Sequence, residues 1–577
     1  MLRAVLVTLG LLVVHAAAAE EMTAPSVSVA TVDWEKAAAS IPDRPAGGAP
    51  EAFAPLNAAI RSRFPDIAKS SVPVLMPLDI ADLRKQQAAG RSDLIVENFM
   101  RGGFHATAFF QAGPGGFDAA FSIRASDVPE LREIRYPDPI FLLFSGLGMS
   151  YELGGRALPD GEPVKSLEAD YPGIKRHLHE SYIRYVFQRY GVTYVAAIYC
   201  LDTRPRARIV TCKQADRIAE RFLRGLTLVG GGPAPARTPE PVAIARPAEV
   251  SKDFTYYAPG SLIPGTGLKK DMGGRADYTV YAPLRFPMKE APSFANSQSF
   301  NNWGDCDFTG RSRRVSGKGA SYSCKVNGRP LVFDESVNYA YPWRDNFCEH
   351  RNFFVGQCPG GEGHQGQDIR PSNCSLFNAG ADRCQPYRHE VVAAHDGMIL
   401  RARKQEAVYL YINSATAHLR VRYMHMNPNL LDADGIVSGK ELAAGDNIGK
   451  VGNYNHKERG TSYHLHFDMQ VPTRIGYVFV NPYATLVASY EHLIGARGTE
   501  IKDGDPAPVA SPVPPVIERP EPVAAVPLPP TVQTITAKHE DTAKEKAEPH
   551  KAQAKAKAKK RHRQVRRRHH RHAAAAD

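Results

Sequence analysis

The hexapeptide Tyr463-His464-Leu465-His466-Phe467-Asp468 constrains this chain more than any other stretch. Aromatic and apolar residues alternate with polar ones at a period of two, which is the pattern of a half-buried strand. On a strand, His464 and His466 project from one face and Leu465 from the other. Two imidazoles on one face can share a metal ion, or one can ligate while the other handles a proton. The tripeptide His177-Leu178-His179 serves as an internal contrast. It lies within Ile174–Ile183, which reads as part of an amphipathic helix over Ile174–Gln188. On a helix, residues two apart point roughly 200° away from each other, so that pair is expected to be a solvated surface.

Two further segments join the histidine pair in chain order. Gly363-His364-Gln365-Gly366-Gln367-Asp368-Ile369 carries His-x-x-x-Asp, and Arg422-Tyr423-Met424-His425-Met426 places a histidine at an expected strand end. A catalytic zinc ion takes three protein ligands and keeps one position open. His364, Asp368 and one histidine of the pair supply such a set. His425 and the other histidine are then left for acid and base work. Asp468 shares the face of the pair and reads as a carboxylate on the rim, with support of a ligand as the alternative. His389, His395 and His418 read as structural, and His456 as a solvated loop residue.

Around this constellation the chain divides into segments. Met1-Leu2-Arg3, an apolar run from Ala4 to Val14 and Ala16–Ala19 read as a secretory signal peptide, residues 1–19, with an uncleaved membrane anchor as the alternative. After cleavage, no stretch is long and apolar enough to span a bilayer. Residues 20–50 read as a loose leader. Residues 51–229 read as an α+β domain of unknown role, with strands at His105–Gln111, Phe117–Ile123, Ile140–Ser145 and Thr193–Tyr199 and a helix at Lys213–Leu226. A Pro/Ala/Gly linker follows at 230–250, then a mostly antiparallel β domain at 251–497. Within it Val391–Leu400 reads as a hairpin turned at Asp396-Gly397, and Val408–Ile412 and Leu419–Met424 as strands. Residues 498–577 are expected to be disordered, first Pro/Ala-rich and then basic. Eleven Lys or Arg lie between Lys551 and His572 without an acidic residue, and removing them takes the formal charge from +12 to +1. The basic character therefore belongs to a tail, not to a nucleic-acid-binding fold.

Eight widely spaced cysteines in an exported chain point to disulfides rather than to a zinc-thiolate site. Pairing of neighbours is expected: Cys200 with Cys212, Cys306 with Cys324, Cys348 with Cys358, and Cys374 with Cys384.

The region from about Tyr341 to Pro482, with its core at 341–485, resembles the lysostaphin-type, or LytM-like, zinc endopeptidases that cut peptide bridges in bacterial peptidoglycan. The residues that carry the resemblance are Gly363–Ile369, Ala394-His395-Asp396-Gly397, Tyr423–Met426, Gly445–Gly452 and His464–Asp468. It implies that His364, Asp368 and His466 hold Zn2+ and that His425 and His464 are the catalytic histidines. It also implies a peptidoglycan peptide as substrate, in the periplasm or outside the cell. The stretch between Asp368 and Val391, with Cys374 and Cys384, is longer than the family pattern, and Cys348 and Cys358 bracket the approach to His364; if both pairs are oxidised, two stapled loops flank the metal. Other classes of function are a non-catalytic regulator of cell-wall amidases and an envelope-binding protein whose tail holds anionic polymers.

Overall fold

Leu142 and Phe144 point one way from their strand and Phe141 and Leu143 the other, and this alternation organises the N-terminal half. A computed structural model describes residues 21–134, 136, 138–154, 157–202, 210–233, 244–260, 277–296, 325–326, 329–330, 339–349, 353–358, 361–371 and 385–501. The described residues fall within one unit, Met1–Pro520. The expected signal peptide, the basic tail, and Cys306, Cys324, Cys374 and Cys384 lie outside them.

The N-terminal sheet has seven antiparallel strands in the order His105–Gly113, Gly116–Ile123, Ile140–Leu147, Val192–Tyr199, Tyr182–Arg189, Lys175–His179 and Glu162–Pro163. Helix Cys212–Arg224 packs on one face through Phe222, whose ring meets Phe104, Phe121 and Phe144. Thr211 and Gln214 form a reciprocal capping box that fixes where the helix starts. The Cys200–Cys212 disulfide ties that start to the end of strand Val192–Tyr199. Residues of the expected leader are folded: Ser26–Val29 pairs with Met149–Glu152, and Ala37 and Ala38 of helix Trp34–Ala39 are buried.

The helix expected over Ile174–Gln188 is not there. Strands Lys175–His179 and Tyr182–Arg189 form a hairpin instead, with Glu180 and Ser181 at positive φ in the turn. The β-branched and aromatic residues Ile183, Tyr185 and Phe187 alternate into the core, and that period of two overrides the helical spacing.

A second, larger sheet runs Ser293–Ala295, Gly366–Pro371, Leu465–Thr473, His418–Met424, Val408–Asn413, Gly397–Leu400, Glu441–Leu442, with Gly476–Val480 beside the far half of Leu465–Thr473. Leu465, Phe467, Met469 and Val471 enter a core shared with Val421, Leu410 and helix Tyr483–Ile494. His466, Asp468 and Gln470 occupy the opposite face. The expected hairpin over Val391–Leu400 is two strands in different sheets: Glu390–Val392 pairs with Asn447–Lys450, and Gly397–Leu400 with Val408–Asn413.

The two sheets meet face to face. Phe109, Ala120 and Leu143 pack on Met398, Tyr411 and Tyr477. Polar contacts cross the same seam, where His418 Nε2 lies 2.8 Å from Asp118 Oδ2 and the Tyr477 hydroxyl donates to that carboxylate at 3.0 Å. A Cβ on Gly115 would stand 2.5 Å from the Cβ of His418, so the approach of the sheets depends on glycine there.

Candidate metal centre

Strand register brings the pieces together. Asp368 stands directly opposite His466 across one strand boundary, and Met424 opposite His466 across the other. His425 follows at the strand end with φ of 72°, a left-handed conformation that is costly for a residue with a Cβ. It is held by a hydrogen bond from the Tyr454 N–H to the His425 carbonyl, 3.2 Å. A Cβ on Gly452 would lie 2.5 Å from that carbonyl, so glycine is required for the loop to close over it. His464 sits one residue before its strand, bridged to Gly452. His364 enters from the loop before Gly366–Pro371 and is gripped by backbone bonds to Cys348 and Glu349. The Cys348–Cys358 disulfide closes that loop.

All five expected residues gather in one buried cluster. His364 Nε2 is 3.0 Å from His466 Nδ1 and 3.3 Å from Asp368 Oδ1. His466 Nδ1 is 3.2 Å, and His464 Nε2 3.3 Å, from the same carboxylate oxygen. The His425 ring centre is 4.7 Å from that of His464 and 6.0 Å from that of His466.

The outer nitrogen of each ring fixes its tautomer. His364 Nδ1 donates to the Asn346 carbonyl at 2.9 Å, His425 Nδ1 to the Tyr454 carbonyl at 2.8 Å, and His464 Nδ1 to the Ser462 carbonyl at 2.8 Å. A carbonyl can only accept, so in each neutral ring the other nitrogen carries a lone pair. His466 Nε2 donates to Asp468 Oδ2 at 3.0 Å, which leaves its Nδ1 lone pair facing inward. Asp368 Oδ2 is buried without a hydrogen-bond partner. Lone pairs of two imidazoles and one carboxylate thus converge on a space that only a proton or a cation can make favourable. The ligand atoms of His364, Asp368 and His466 all lie within 4.8 Å of one another, and the donor set fits zinc.

Electrostatics agree with that division. Burial opposes ionisation of Asp368, but the His364 and His464 rings outweigh it and hold the carboxyl well below its usual range. Burial also disfavours the charged form of His466, yet Asp368 and Asp468 more than offset it and raise its pKa. Burial, with His464 and His466 nearby, pushes His425 well below the ordinary histidine value. His464 is lowered too, by burial chiefly, against the pull of Asp368.

Asp468 is not on a rim. It is fully buried, accepts from His466, and is bound by Arg422 through Nε at 2.6 Å. Burial would raise its pKa, but Arg422 and His466 bring it below the usual value. Arg422 continues to Gln365 Oε1 at 2.6 Å. Sequence reasoning missed Arg422, although its place two residues before Met424 puts it on the same face. The carbonyls of Asn346, Tyr454 and Ser462 leave no signal in side-chain pattern. His389, half-buried His395 and exposed His456 stand elsewhere, on Glu290, on the Asp396 carbonyl and beside Glu406.

Residues 376–482 match the family described as Peptidase family M23. The match contains His425, His464 and His466 and begins after His364 and Asp368; strand register brings Asp368 to the site, and the loop held by Cys348 and Glu349 brings His364. None of the curated proteins matches this chain. A solved structure from Ruminococcus gnavus, of a candidate glycyl-glycine endopeptidase lytM, is 22% identical over 24% of this chain and 51% of its own, with a TM-score of 0.17. This chain thus covers about half of that one, and a score so low supports no structural argument.

Proposed function

We propose, on the premise that residues 376–482 are a peptidase family M23 domain, that the chain is an exported zinc-dependent endopeptidase acting on peptide cross-links of bacterial peptidoglycan. The observation that carries this reading is the orphaned Oδ2 of Asp368 within a ring of inward lone pairs. His364 through Nε2, Asp368 and His466 through Nδ1 would hold the ion. Bound there, zinc supplies a Lewis acid beside the scissile carbonyl. His425 keeps Nε2 free while its Nδ1–H is tied to Tyr454, so it is poised to take a proton from the attacking water. His464, tied through Nδ1 to Ser462, offers its free Nε2 to hold or return a proton to the leaving amine. Both rings stay neutral because burial penalises their charged forms. Asp468 and Arg422 keep the His466 ring in the ligating orientation.

Export rests on the N-terminal signal pattern and on the Cys200–Cys212 and Cys348–Cys358 disulfides, which belong to an oxidising compartment, periplasmic or extracellular. Among the described residues no helix is long and apolar enough to cross a membrane. The basic segment Lys551–His572 would add attraction to anionic envelope polymers. The test is mass spectrometry of muropeptides after digestion by wild type and His364→Ala, with zinc content measured on both. New peptide ends produced only by the zinc-bearing wild type support the reading. Intact muropeptides with zinc bound leave a non-catalytic regulator of amidases in its place.

A further inference from the structure

The N-terminal sheet brings more than a scaffold to the seam. On the face it turns to the second sheet, successive cross-strand rows follow one another along the strands. Asp118 and Ser145 belong to one row, Ala120, Leu143, Ala197 and Arg184 to the next. Both rows are committed to the peptidase sheet. Asp118 binds His418, Leu143 packs against Tyr411 and Tyr477, and Arg184 donates to the Tyr477 carbonyl at 2.7 Å. The row after these holds Phe141, Tyr199 and Tyr182, on three neighbouring strands. Burial lessens along this row: Tyr182 is half-buried, whereas Phe141 is 41% and Tyr199 45% exposed. Tyr182 meets Tyr199 edge to face at 5.3 Å and has the Arg184 guanidinium 5.5 Å over its ring.

The Tyr182 end of this row stands at the part of the seam that holds Arg420 and Arg422. Along strand Leu465–Thr473 the metal ligand His466 comes first, then Asp468 opposite Arg422, then Gln470 opposite Arg420. Tyr182 is within electrostatic reach of Tyr409, Arg420 and Arg422. Asp468 is two residues, or roughly 7 Å, from His466. Tyr182 therefore faces strand positions next to the cluster, and the row runs from there across the N-terminal sheet.

We propose that Phe141, Tyr199 and Tyr182 form a platform for the sugar strand of the polymer whose cross-links the metal site cuts; the proposal rests on the function proposed above. Phe141 and Tyr199 are exposed aromatic rings on neighbouring strands with half-buried Tyr182 beside them, and an exposed apolar patch of this kind marks a ligand surface. The rings stand on adjacent strands about 4.8 Å apart, so the row spans roughly 10 Å, the length of a disaccharide. The apolar faces of pyranose rings match this surface, since their axial C–H groups meet the negative faces of the aromatics. Phe141 offers no hydrogen bond and the row carries no charge of its own, which suits a sugar face better than an ionised stem peptide. The N-terminal domain thereby gains a role: it grips the glycan while the peptide lies over Arg422 and the metal ligands.

The test uses the full-length protein, glycan strands freed of stem peptides, and a short soluble cross-linked peptide. Phe141→Ala/Tyr199→Ala is compared with Ile95→Ala, a control at an exposed apolar residue elsewhere in the same domain. The double variant is expected to bind the bare glycan about tenfold more weakly, with zinc content and cleavage of the short peptide unchanged. Equal binding by wild type and double variant overturns the proposal, as does wild-type binding to stem peptides but not to bare glycan. Glycan binding that depends on the row in a protein that cleaves nothing sustains the platform and sinks only the hydrolase reading. Cleavage of the peptide without any glycan binding does the reverse.

Discussion

Arg422 and Asp468 face each other across neighbouring strands, and the guanidinium Nε lies 2.6 Å from the carboxylate that holds His466. Asp468 is fully buried and Arg422 mostly so, and removing one leaves the other's charge uncompensated. Asp468→Ala is expected to weaken zinc binding roughly 10–100-fold, the usual effect of losing a ligand's outer hydrogen bond. Chelator competition measures it; unchanged affinity would show that the ring of His466 is held by packing alone. Arg422→Ala should destabilise the fold by about 3–5 kcal/mol, seen in denaturant unfolding.

Loading the site should release protons. In the metal-free protein His466 has a raised pKa, because Asp368 and Asp468 outweigh its burial, and its inner nitrogen competes with the ion for the same lone pair. Apparent zinc affinity should therefore fall as pH is lowered. Calorimetric titration in buffers of different ionisation heat should show net proton release. A heat independent of buffer would contradict this.

His364→Ala and His425→Ala are expected to fail differently. His364→Ala should lose zinc. His425→Ala should keep it and lose about 10²–10⁴ in kcat, the range for a missing acid–base group. Metal analysis alongside turnover separates the two, and near-normal turnover in zinc-loaded His425→Ala removes that ring from the chemistry.

Glu180 gives the fold a pH dependence of its own. It is buried at the seam, accepts from the Gly356 and Phe479 N–H groups and lies 3.5 Å from Arg184. Burial raises its pKa to about 7 despite these partners. The unfolded value is lower, so the folded state binds the extra proton between the two. Its contribution is complete below the unfolded value and is lost as pH rises through about 7, by up to roughly 3 kcal/mol. Melting curves from pH 5 to 8 should show this fall, and Glu180→Gln should flatten it. Equal slopes for both proteins would locate the dependence elsewhere.

Gly115→Ala probes the seam between the sheets. The added methyl meets His418 at 2.5 Å, and overpacking of this kind costs about 1–3 kcal/mol. Differential scanning calorimetry should report a lower melting temperature. No change would show that the His418 side can shift.

The metal centre was legible in sequence to an unequal degree. His464-Leu465-His466 announces itself because a strand's period of two sorts residues by face, and His466 and Asp468 indeed share one. The same tripeptide at His177 misleads, because its flanking residues fit both periods and only the packing of Ile183, Tyr185 and Phe187 into the core decides between them. His364 and Asp368 were legible as a spaced pair, but their meeting with His466 depends on register between strands almost a hundred residues apart. Asp468 reads as a rim carboxylate from sequence because its partner Arg422 comes from a neighbouring strand, which only the folded sheet brings near.

The direct pairing of Asp368 with His466 leaves little freedom for change in length. Adding or deleting one residue within Leu465–Thr473 would reverse its pleat and turn the imidazole into the apolar core. The strand can therefore accept many changes of letter but hardly one of count. Insertions must collect outside the strand.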